Sequence, residues 1–370
     1  MAPDVTIVGA GIVGAACAAS LTREGFKVAV IDASTVAGGS TAAGMGHLVI
    51  MDDSVAQIAL TSYSRRLWNA LATDLPANCE YERCGTIWIA ADADEMAEAE
   101  RKRGIYDQIG ERAEILDEQS LIEAEPNLRP GLAGGLLVPD DSVVYQPSVA
   151  AHLIGMASSR GAKIMTESKA VEIVSSGVRL ENGEFISSGA VINAGGVRAG
   201  NLCSGLKITG RKGHLVITER YAGYVKHQLV ELGYLRSAHG KDAESVAFNI
   251  QPRSTGQMLV GSSRQFGVEN SEIDHSILRK MTTRAFEYLP GLRKLAALRI
   301  WTGLRPATPD NLPYIGPVPG KDNIFIAAGH EGLGITTSLG TAELLTGLIL
   351  GRPTAIPIEP YLPARVLEEV

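Results

Sequence analysis

The sequence has few cysteines, no cluster of basic residues and no long hydrophobic segment, and each shortage excludes a class of protein. Its four cysteines form no CxxC pair and have no histidine at the spacing of zinc ligands, so neither a metal site nor a disulfide framework is predicted. They are Cys17, Cys79, Cys84 and Cys203, and their pattern fits a reducing cytoplasm. With a formal net charge of −7 the chain repels phosphate backbones, and nucleic acid is not an expected partner.

The longest apolar run, residues 5–21, is interrupted by glycines and is too short to span a membrane. Only residues 1–4 precede it, without a basic side chain, so it lacks the pattern of a signal peptide, and we expect no transmembrane segment. The composition of 45% apolar and 20% charged residues with 41 glycines is typical of a globular protein rich in tight turns. A length of 370 residues favours about two domains.

The N-terminal segment has the pattern of a dinucleotide-binding βαβ unit. A β-branched run at residues 4–8 leads into the turn GAGIVG at 9–14, a helical stretch at 15–24 and a second strand at 27–32. In such a unit Gly9 permits the tight turn, Gly11 lets the backbone approach a pyrophosphate, and Gly14 lets the helix pack on the strand. The helix N-terminus supplies amides for the phosphates. Asp32, at the end of the second strand, would accept hydrogen bonds from a ribose, which disfavours NADP.

A second glycine-rich segment favours FAD over NAD. Residues 37–47, AGGSTAAGMGH, form a loop too long for a routine strand connection. Such a loop offers backbone amides and the hydroxyls of Ser40 and Thr41 to a second phosphate, and it leaves room for a bulky ring system. A flexible surface loop is the alternative interpretation.

Three further segments resemble those of the FAD-dependent amine oxidoreductases of the D-amino acid oxidase, glycine oxidase and sarcosine oxidase family. They are residues 189–196 (GAVINAGG), 302–316 (TGLRPATPDNLPYIG) and 323–337 (NIFIAAGHEGLGITT), and the likeness covers almost the whole chain. The resemblance implies an α/β fold with a Rossmann-type FAD-binding domain. Monomeric sarcosine oxidases attach their flavin to a cysteine beside the last segment; none of the four cysteines lies there, so we expect non-covalent FAD. Val197 and Arg198 replace the Trp or Ser that often follows the NAxG turn, which predicts a more polar corner.

The last of these segments has a physical interpretation of its own. Residues 324–328 read as a buried strand, 329–334 as a glycine turn and 338–350 as an amphipathic helix. Amides and a helix dipole at this turn would stabilise negative charge at the flavin carbonyl oxygens. An unrelated strand–helix packing unit is the alternative.

The predicted FAD-binding residues come from all these segments and from a strand at 170–174, whose backbone the family places over adenine. They are Gly9, Gly11, Ile12, Val13, Gly14, Asp32, Ala33, Gly39, Ser40, Thr41, Ala43, Gly44, Met45, Gly46, Val171, Ala194, Gly195, Gly303, Arg305, Gly329, Gly332, Leu333, Gly334, Ile335 and Thr336.

The nucleotide-binding segments occur at the start, middle and end of the chain, which predicts a discontinuous FAD-binding domain of residues 1–55, 140–205 and 305–370. Residues 56–139 and 206–304 would form a substrate domain of antiparallel sheet and helices. Its sheet would come from the β-rich stretches 81–90 and 211–265, and its helices from the amphipathic stretches 54–74, 92–110 and 273–289. Within the first domain we expect a helix at 147–161, a strand at 162–166 and a hairpin at 178–186.

The resemblance implies that the flavin accepts a hydride while the protein positions the substrate, so neither an acid–base dyad nor a nucleophile is required. A substrate carboxylate needs a fixed cation, and the resembling oxidases have their carboxylate-binding arginine at the position of Arg305. His330 and Glu331 are expected beside the flavin ring, although His330 could instead bond a buried carbonyl. Met45 and His47 have the same ambiguity.

The β-rich region contains Tyr221, Tyr224 and Tyr234. Relatives supply a pocket tyrosine from this region, and the sequence does not choose among the three.

Residues 43–48 and 329–336 are most similar to bacterial dehydrogenase subunits that act on cis-4-hydroxy-D-proline or on opines. The resemblance implies oxidation of the C–N bond of a small amino acid or N-substituted amino acid. It also implies a hetero-oligomer in which a partner flavoprotein or iron–sulfur subunit accepts the electrons. A glycine or D-amino acid oxidase that uses oxygen is the nearest alternative. Two alternatives come from other functional classes: an NAD-dependent dehydrogenase, and a flavin-binding structural subunit whose catalysis occurs in a partner.

Overall fold

The computed structural model describes residues 2–233 and 244–366. The chain forms two compact units. Unit 1 comprises Met1–Cys79, Tyr145–Gly210 and Leu304–Val370, and unit 2 comprises Glu80–Val144 and Arg211–Gly303.

Helices and strands alternate in the N-terminal part of the described chain, and longer strands dominate its second half. The helices are α1 (Ile12–Arg23), α2 (Ser40–Ala43), α3 (Val55–Leu71), α4 (Ala93–Gln108), α5 (Glu118–Ala124), α6 (Gln146–Ser159), α7 (Ala199–Leu202), α8 (His275–Tyr288) and α9 (Gly334–Ile349). The strands are β1 (Val5–Val8), β2 (Val28–Ile31), β3 (His47–Leu48), β4 (Thr86–Ala90), β5 (Glu114–Asp117), β6 (Gly134–Val138), β7 (Ser142–Val143), β8 (Lys163–Met165), β9 (Ala170–Val174), β10 (Gly177–Leu180), β11 (Phe185–Ser187), β12 (Ala190–Asn193), β13 (Thr209–Thr218), β14 (Gln228–Glu231), β15 (Glu244–Pro252), β16 (Met258–Phe266), β17 (Ala297–Ala307), β18 (Tyr314–Pro317) and β19 (Ile324–Ala328).

Unit 1 is built on a six-stranded sheet in the order β18-β19-β12-β1-β2-β8. All neighbouring pairs are parallel except β18 with β19. The first two strands, VTIV and VAVI, are buried at every position, as expected for parallel strands covered on both faces. The α/β class and the Rossmann-type sheet predicted from the sequence are confirmed. A three-stranded antiparallel sheet, β11-β10-β9, adds the predicted meander.

Helix α1 lies at the centre of the helical layer of unit 1, where it packs against α6 and α9. Its small side chains, such as Ala15 and Ala18, are fully buried and allow this close approach. Helix α3 packs on α9, with Leu60 and Ser64 lying against Gly340. For this reason residues 56–79 belong to unit 1, whereas the sequence placed them in the substrate domain.

Unit 2 contains an eight-stranded sheet in the order β17-β13-β16-β15-β14-β4-β6-β5. It is antiparallel where pairings are described, except for the parallel pair β14–β4. One face of the sheet packs against α8 in a hydrophobic core that contains Phe248, Ile250 and Met281. The ring of Phe248 stacks on that of Tyr288, with their centroids 4.6 Å apart.

Most predicted helix limits agree with the structure to within a few residues, because capping side chains mark them. Ser54, Asp92 and Asp274 each accept a backbone amide hydrogen at the start of α3, α4 and α8. Helix α9 begins at Gly334, four residues before the predicted start at 338, and has no side-chain cap. Within residues 2–233 and 244–366, every helix is too short or too polar to cross a bilayer.

Candidate active site

The turn between β1 and α1 has the geometry of an anion-binding helix N-terminus. Gly9 has φ of +110°, and a Cβ there would lie 2.4 Å from the carbonyl oxygen of Ala194. A Cβ on Gly14 would lie 1.9 Å from the carbonyl oxygen of Gly9, so both glycines are required for packing. At Gly11 a Cβ would meet only the Thr41 hydroxyl, at 3.2 Å. Helix α1 has no side-chain cap and no acidic residue in its first turn, which leaves its positive end to an anionic ligand.

Asp32 ties the end of β2 to the turn. One carboxylate oxygen accepts the Ala10 amide at 2.7 Å, and the other accepts the Ser34 amide at 2.8 Å. A carboxylate has about four acceptor sites, so the side chain can also accept hydroxyl donors from a ribose. The adjacent Ala33 is exposed.

The loop after β2 returns to the first turn of α1. Thr41 on α2 accepts the Ile12 amide through its hydroxyl at 3.0 Å. The hydroxyl of Ser40 donates to the carbonyl oxygen of Leu304 at 2.7 Å. The hydrogen bond from Ile12 to Thr41 therefore ties this loop to the glycine turn, and the Thr41 hydroxyl keeps its own hydrogen to donate to a phosphate.

Gln146, at the start of α6, fixes this loop and was not predicted from the sequence. Its amide nitrogen donates to the carbonyl oxygens of Thr41 at 3.0 Å and Gly44 at 2.9 Å. The side chain is only 3% exposed. A Cβ on Gly44 would lie 3.0 Å from Cδ1 of Ile335, so the loop also contacts the first turn of α9.

The NAGG turn after β12 is held by Asn193. Its amide group donates to the carbonyl oxygen of Ala199 at 2.9 Å and accepts the Gly195 amide at 3.2 Å. Ala194 lies against Gly9, so the second predicted fingerprint meets the first.

The turn from Gly329 to Gly334 lies beside Arg305. Gly329 has φ of +87°, and a Cβ there would be 2.4 Å from the side chain of Thr308. A Cβ on Gly332 would lie 3.7 Å from Cδ and 3.8 Å from Nε of Arg305. The half-buried Arg305 side chain therefore lies along this turn, at the end of β17.

Thr336 connects the start of α9 to two other segments. Its hydroxyl donates to the His47 carbonyl oxygen at 2.8 Å and accepts the Val49 amide at 3.3 Å. Its carbonyl oxygen accepts the indole N–H of Trp68 at 2.9 Å. Met45, which precedes this stretch and was predicted to be a site residue, is buried. Thr336 was predicted to bind FAD, and these contacts give it the role of a tie between segments.

His330 is buried and neutral. It is 4% exposed, its Nε2 lies 3.0 Å from the hydroxyl of Thr341, and burial lowers its pKa to about 3. The partner of His330 is thus a hydroxyl of the following helix α9, rather than a carbonyl. The neighbouring Glu331 accepts the Gly332 amide at 2.5 Å. These contacts favour a role in holding the turn.

Other predicted residues lie on β9, on β17 and in the core of unit 2. Val171 is 45% exposed on β9 of the small sheet, and Gly303 is the last residue of unit 2. Tyr221 and Tyr224 pack against the hydrophobic core of unit 2, and the Tyr221 hydroxyl accepts the Ala296 amide at 3.0 Å. Tyr234 lies outside the described residues.

One Ser–His pair in unit 2 has the wrong tautomer for a nucleophile. His214 Nδ1 lies 3.0 Å from the Ser263 hydroxyl, while His214 Nε2 accepts the Asp274 amide at 2.9 Å. The ring proton is therefore on Nδ1, which donates to the serine and cannot remove its proton.

Four separated segments thus meet within unit 1: the glycine turn, the loop of residues 39–49, the NAGG turn and the turn before α9. Amides and hydroxyls that suit phosphates come from the first two of these segments, and Arg305 lies beside the last. Such a set is typical of a flavoprotein with a Rossmann-type domain.

Comparison with known proteins identifies the family. Residues 4–348 match the family model described as "FAD dependent oxidoreductase" (DAO). The chain is 28% identical over 382 residues to glycine oxidase of Geobacillus kaustophilus, with 99% of this chain and 98% of the relative covered. It is 27% identical over 422 residues to hydrogen cyanide synthase subunit HcnC of Pseudomonas aeruginosa, covering 99% and 97%.

Solved structures agree with this result. The crystal structure of the G. kaustophilus glycine oxidase superposes with a TM-score of 0.88 at 28% identity, covering 98% of each chain. L-proline dehydrogenase from P. horikoshii shares the fold, with a TM-score of 0.89 at 22% identity, covering 99% of this chain and 98% of the other. The chain belongs to the DAO family of FAD-dependent oxidoreductases, of the D-amino acid oxidase and glycine oxidase type, and FAD is its cofactor.

The residues present fit this cofactor. At the N-terminus of α1, where Gly11 provides no side-chain cap, the amides after Ile12 and the hydrogen of the Thr41 hydroxyl provide donors for a pyrophosphate. There is open space beside three of the predicted glycines, namely Gly11, Gly39 and Gly332. A Cβ built on any of them would meet no backbone atom within 3.4 Å, so a cofactor could approach the backbone there. When bound, the flavin accepts a hydride from the substrate.

Proposed function

We propose that this enzyme oxidises the C–N bond of a small amino acid or N-substituted amino acid, with cis-4-hydroxy-D-proline or an opine as the substrate. The observation that carries the proposal is the position of Arg305 along the turn of Gly332, beside the segments that fit FAD. Its planar guanidinium suits a carboxylate, which would fix the substrate and leave its amine-bearing carbon free to meet the flavin.

The remaining site residues have supporting roles in this proposal. The turns at Gly9–Gly14 and Gly329–Gly334 and the loop around Thr41 hold the cofactor through backbone amides and hydroxyls. His330, neutral because it is buried, adds no charge beside the substrate amine. Unit 1 is the FAD-binding domain and unit 2 the substrate domain.

A glycine or D-amino acid oxidase that uses oxygen is the second candidate. The 28% identity to a protein named glycine oxidase, over nearly the whole of both chains, favours it. The relative named as a subunit of hydrogen cyanide synthase favours instead an enzyme that works together with a partner chain. A reducing cytoplasm and a partner flavoprotein or iron–sulfur subunit stay predictions.

Anaerobic reduction of the bound flavin tests this function. We expect bleaching of the flavin absorbance by one or more of D-proline, cis-4-hydroxy-D-proline, octopine, sarcosine and glycine. Arg305→Met should raise the substrate concentration for half-maximal reduction by roughly a hundredfold, because it removes a desolvated charge partner. Arg305→Lys should restore part of the loss, because it keeps the charge without the fork.

The control is Arg299→Met, on the exposed part of the same strand, which should leave the half-saturating concentration unchanged. An unaltered value in Arg305→Met would remove Arg305 from the site. Flavin that stays oxidised with every amine would refute the function itself. Reoxidation of the reduced enzyme in air separates the two candidates, since rapid reoxidation indicates an oxidase.

A further inference from the structure

Near the C-terminal end of unit 1, Arg365 is bonded to the loop of residues 308–313 between β17 and β18. Its guanidinium forms a two-pronged ion pair with Asp310, in which Nε donates to Oδ2 at 2.7 Å and Nη2 donates to Oδ1 at 3.1 Å. Nη2 also donates to the carbonyl oxygen of Leu312 at 2.7 Å. On its other side, Nη1 donates to the carbonyl oxygens of Tyr361 at 2.9 Å and Leu362 at 3.1 Å.

This ion pair differs from the exposed ion pairs of unit 1. The Arg365 side chain is only 15% exposed, and its guanidinium lies over the ring of the buried Tyr314, 4.6 Å from the centroid. By contrast, Arg352 pairs with Glu24 at 2.7 Å but is 58% exposed. Exposed pairs contribute little, whereas a bidentate pair of arginine and carboxylate fixes the geometry of both partners.

Inside the loop, Asp310 and Leu312 are in turn bonded to Thr308. The Thr308 hydroxyl donates to the carbonyl oxygen of Leu312 at 2.7 Å and lies 3.1 Å from Oδ1 of Asp310. The same carboxylate oxygen accepts the Leu312 amide at 3.1 Å. Asn311 has φ of +62°, which is uncommon for a residue with a side chain, so the bonds of Arg365 help to hold the loop in this shape.

Thr308 packs on the turn that lies beside Arg305. Thr308 is buried, and a Cβ on Gly329 would lie 2.4 Å from its Cγ2. The preceding residue, Ala307, pairs with His330 through an antiparallel β-bridge. Arg305 lies two residues before Ala307 on the same strand, so the contacts that hold the loop against this turn also fix the backbone near Arg305.

We propose that Arg365 is a positioning residue, which holds Arg305 in place through Asp310 and Thr308 so that the substrate carboxylate can bind. This inference rests on the proposed function. All residues in this series of contacts belong to unit 1. A misplacement of about 1 Å in a group that positions a substrate can cost about a hundredfold in rate. Because Arg365 acts through Arg305, its loss should weaken substrate binding more than it slows hydride transfer.

Anaerobic flavin reduction of the holoenzyme, with an amine that bleaches the wild type, tests the inference. In Arg365→Met we expect the half-saturating concentration of this amine to rise about tenfold and the maximal rate of reduction to stay within about twofold. Arg365→Lys should recover part of the loss, because it keeps a charge beside Asp310. Asp310→Asn keeps the shape and removes the charge, so it should raise the half-saturating concentration as well, and it replaces Arg365→Met if that variant does not fold.

A double variant shows whether Arg365 acts through Arg305. Arg305→Met alone should raise the half-saturating concentration by roughly a hundredfold. Adding Arg365→Met, or Asp310→Asn in its place, should raise it no further, because the group that is positioned has already been removed. Independent effects would multiply instead.

Arg352→Met is the matched control. It makes the same replacement in the C-terminal part of unit 1 and removes the exposed ion pair with Glu24. It should leave the half-saturating concentration unchanged, both alone and combined with Arg305→Met.

Two results would overturn the inference while leaving amine oxidation intact. A lowered unfolding temperature with an unchanged half-saturating concentration, in both Arg365→Met and Asp310→Asn, would show that the ion pair only stabilises unit 1. Effects that multiply in the double variant would show that Arg365 does not act through Arg305. If no amine bleaches the wild-type flavin, the proposed function fails and the inference fails with it.

Discussion

At the scale of single residues, Gln146 holds the loop of residues 39–49, here called the cofactor loop, through two hydrogen bonds. Gln146→Leu removes both donors that hold the carbonyl oxygens of Thr41 and Gly44. Two lost hydrogen bonds of about 1 kcal/mol each correspond to a roughly tenfold or greater rise in the FAD dissociation constant. Fluorescence titration of the apoprotein with FAD measures this dissociation constant.

Two further variants make the Gln146 test specific. Gln146→Glu fills the same volume without donors and should weaken FAD binding at least as much. Gln119→Leu, at an exposed glutamine of α5, should leave the dissociation constant unchanged. Tight FAD binding by Gln146→Glu would show that the loop holds its shape by other contacts.

His330 makes stability depend on pH. Its pKa is lowered to about 3 in the folded protein by burial, whereas an unfolded histidine titrates near 6.5. Below about pH 6 the unfolded chain takes up a proton that the folded chain does not. Acid therefore favours unfolding, by up to about 1.4 kcal/mol per pH unit from this residue.

Denaturant unfolding at pH 7.5 and pH 5 measures this effect. In His330→Asn the loss of stability between the two pH values should be smaller than in the wild type. An equal loss in both proteins would show that His330 is protonated in the folded state.

At the scale of elements, two glycines at the start of α1 have different roles, one in folding and one in cofactor binding. A methyl group at Gly14 would lie 1.9 Å from the Gly9 carbonyl oxygen, so Gly14→Ala should destabilise the apoprotein or prevent folding. At Gly11 it would meet only a hydroxyl at 3.2 Å, so Gly11→Ala should fold. The same methyl group would occupy the approach of the pyrophosphate, and FAD affinity should fall at least tenfold.

Thermal unfolding of both apoproteins and FAD titration of Gly11→Ala check these outcomes. If Gly11→Ala bound FAD as tightly as the wild type, the pyrophosphate would not lie against Gly11.

Elements whose signals are local could be predicted from the sequence. Strands β1 and β2, the turn between Gly9 and Gly14, and the capped helices depend on neighbouring residues, and all appear as expected. Gln146 could not be found in this way, because its partners lie about a hundred residues away in sequence. Neighbours across strands are also outside the reach of the sequence pattern, since residues of β14 and β15 such as Val230 and Asn249 become neighbours only when the strands pair. The site roles of Arg305 and Met45 stay predictions.

At the scale of the whole molecule, FAD should stabilise the fold. A ligand that binds only the folded state raises the free energy of unfolding by about 2.7 kcal/mol at a hundred times its dissociation constant. We expect the unfolding temperature of the apoprotein to rise with FAD concentration and to stay constant with NAD. Differential scanning fluorimetry checks this, and a response to NAD alone would contradict the choice of cofactor.

The contacts of Thr336 join three stretches of chain into one cooperative element. Its hydroxyl binds residues 47 and 49, and its carbonyl oxygen binds the buried indole of Trp68. The strand after the cofactor loop therefore cannot loosen alone, because its release would break the same junction that anchors α3 to α9. Trp68 is distant in sequence from the predicted FAD-binding residues. Replacing it should nevertheless weaken FAD binding, because the change would disturb the contacts of Thr336.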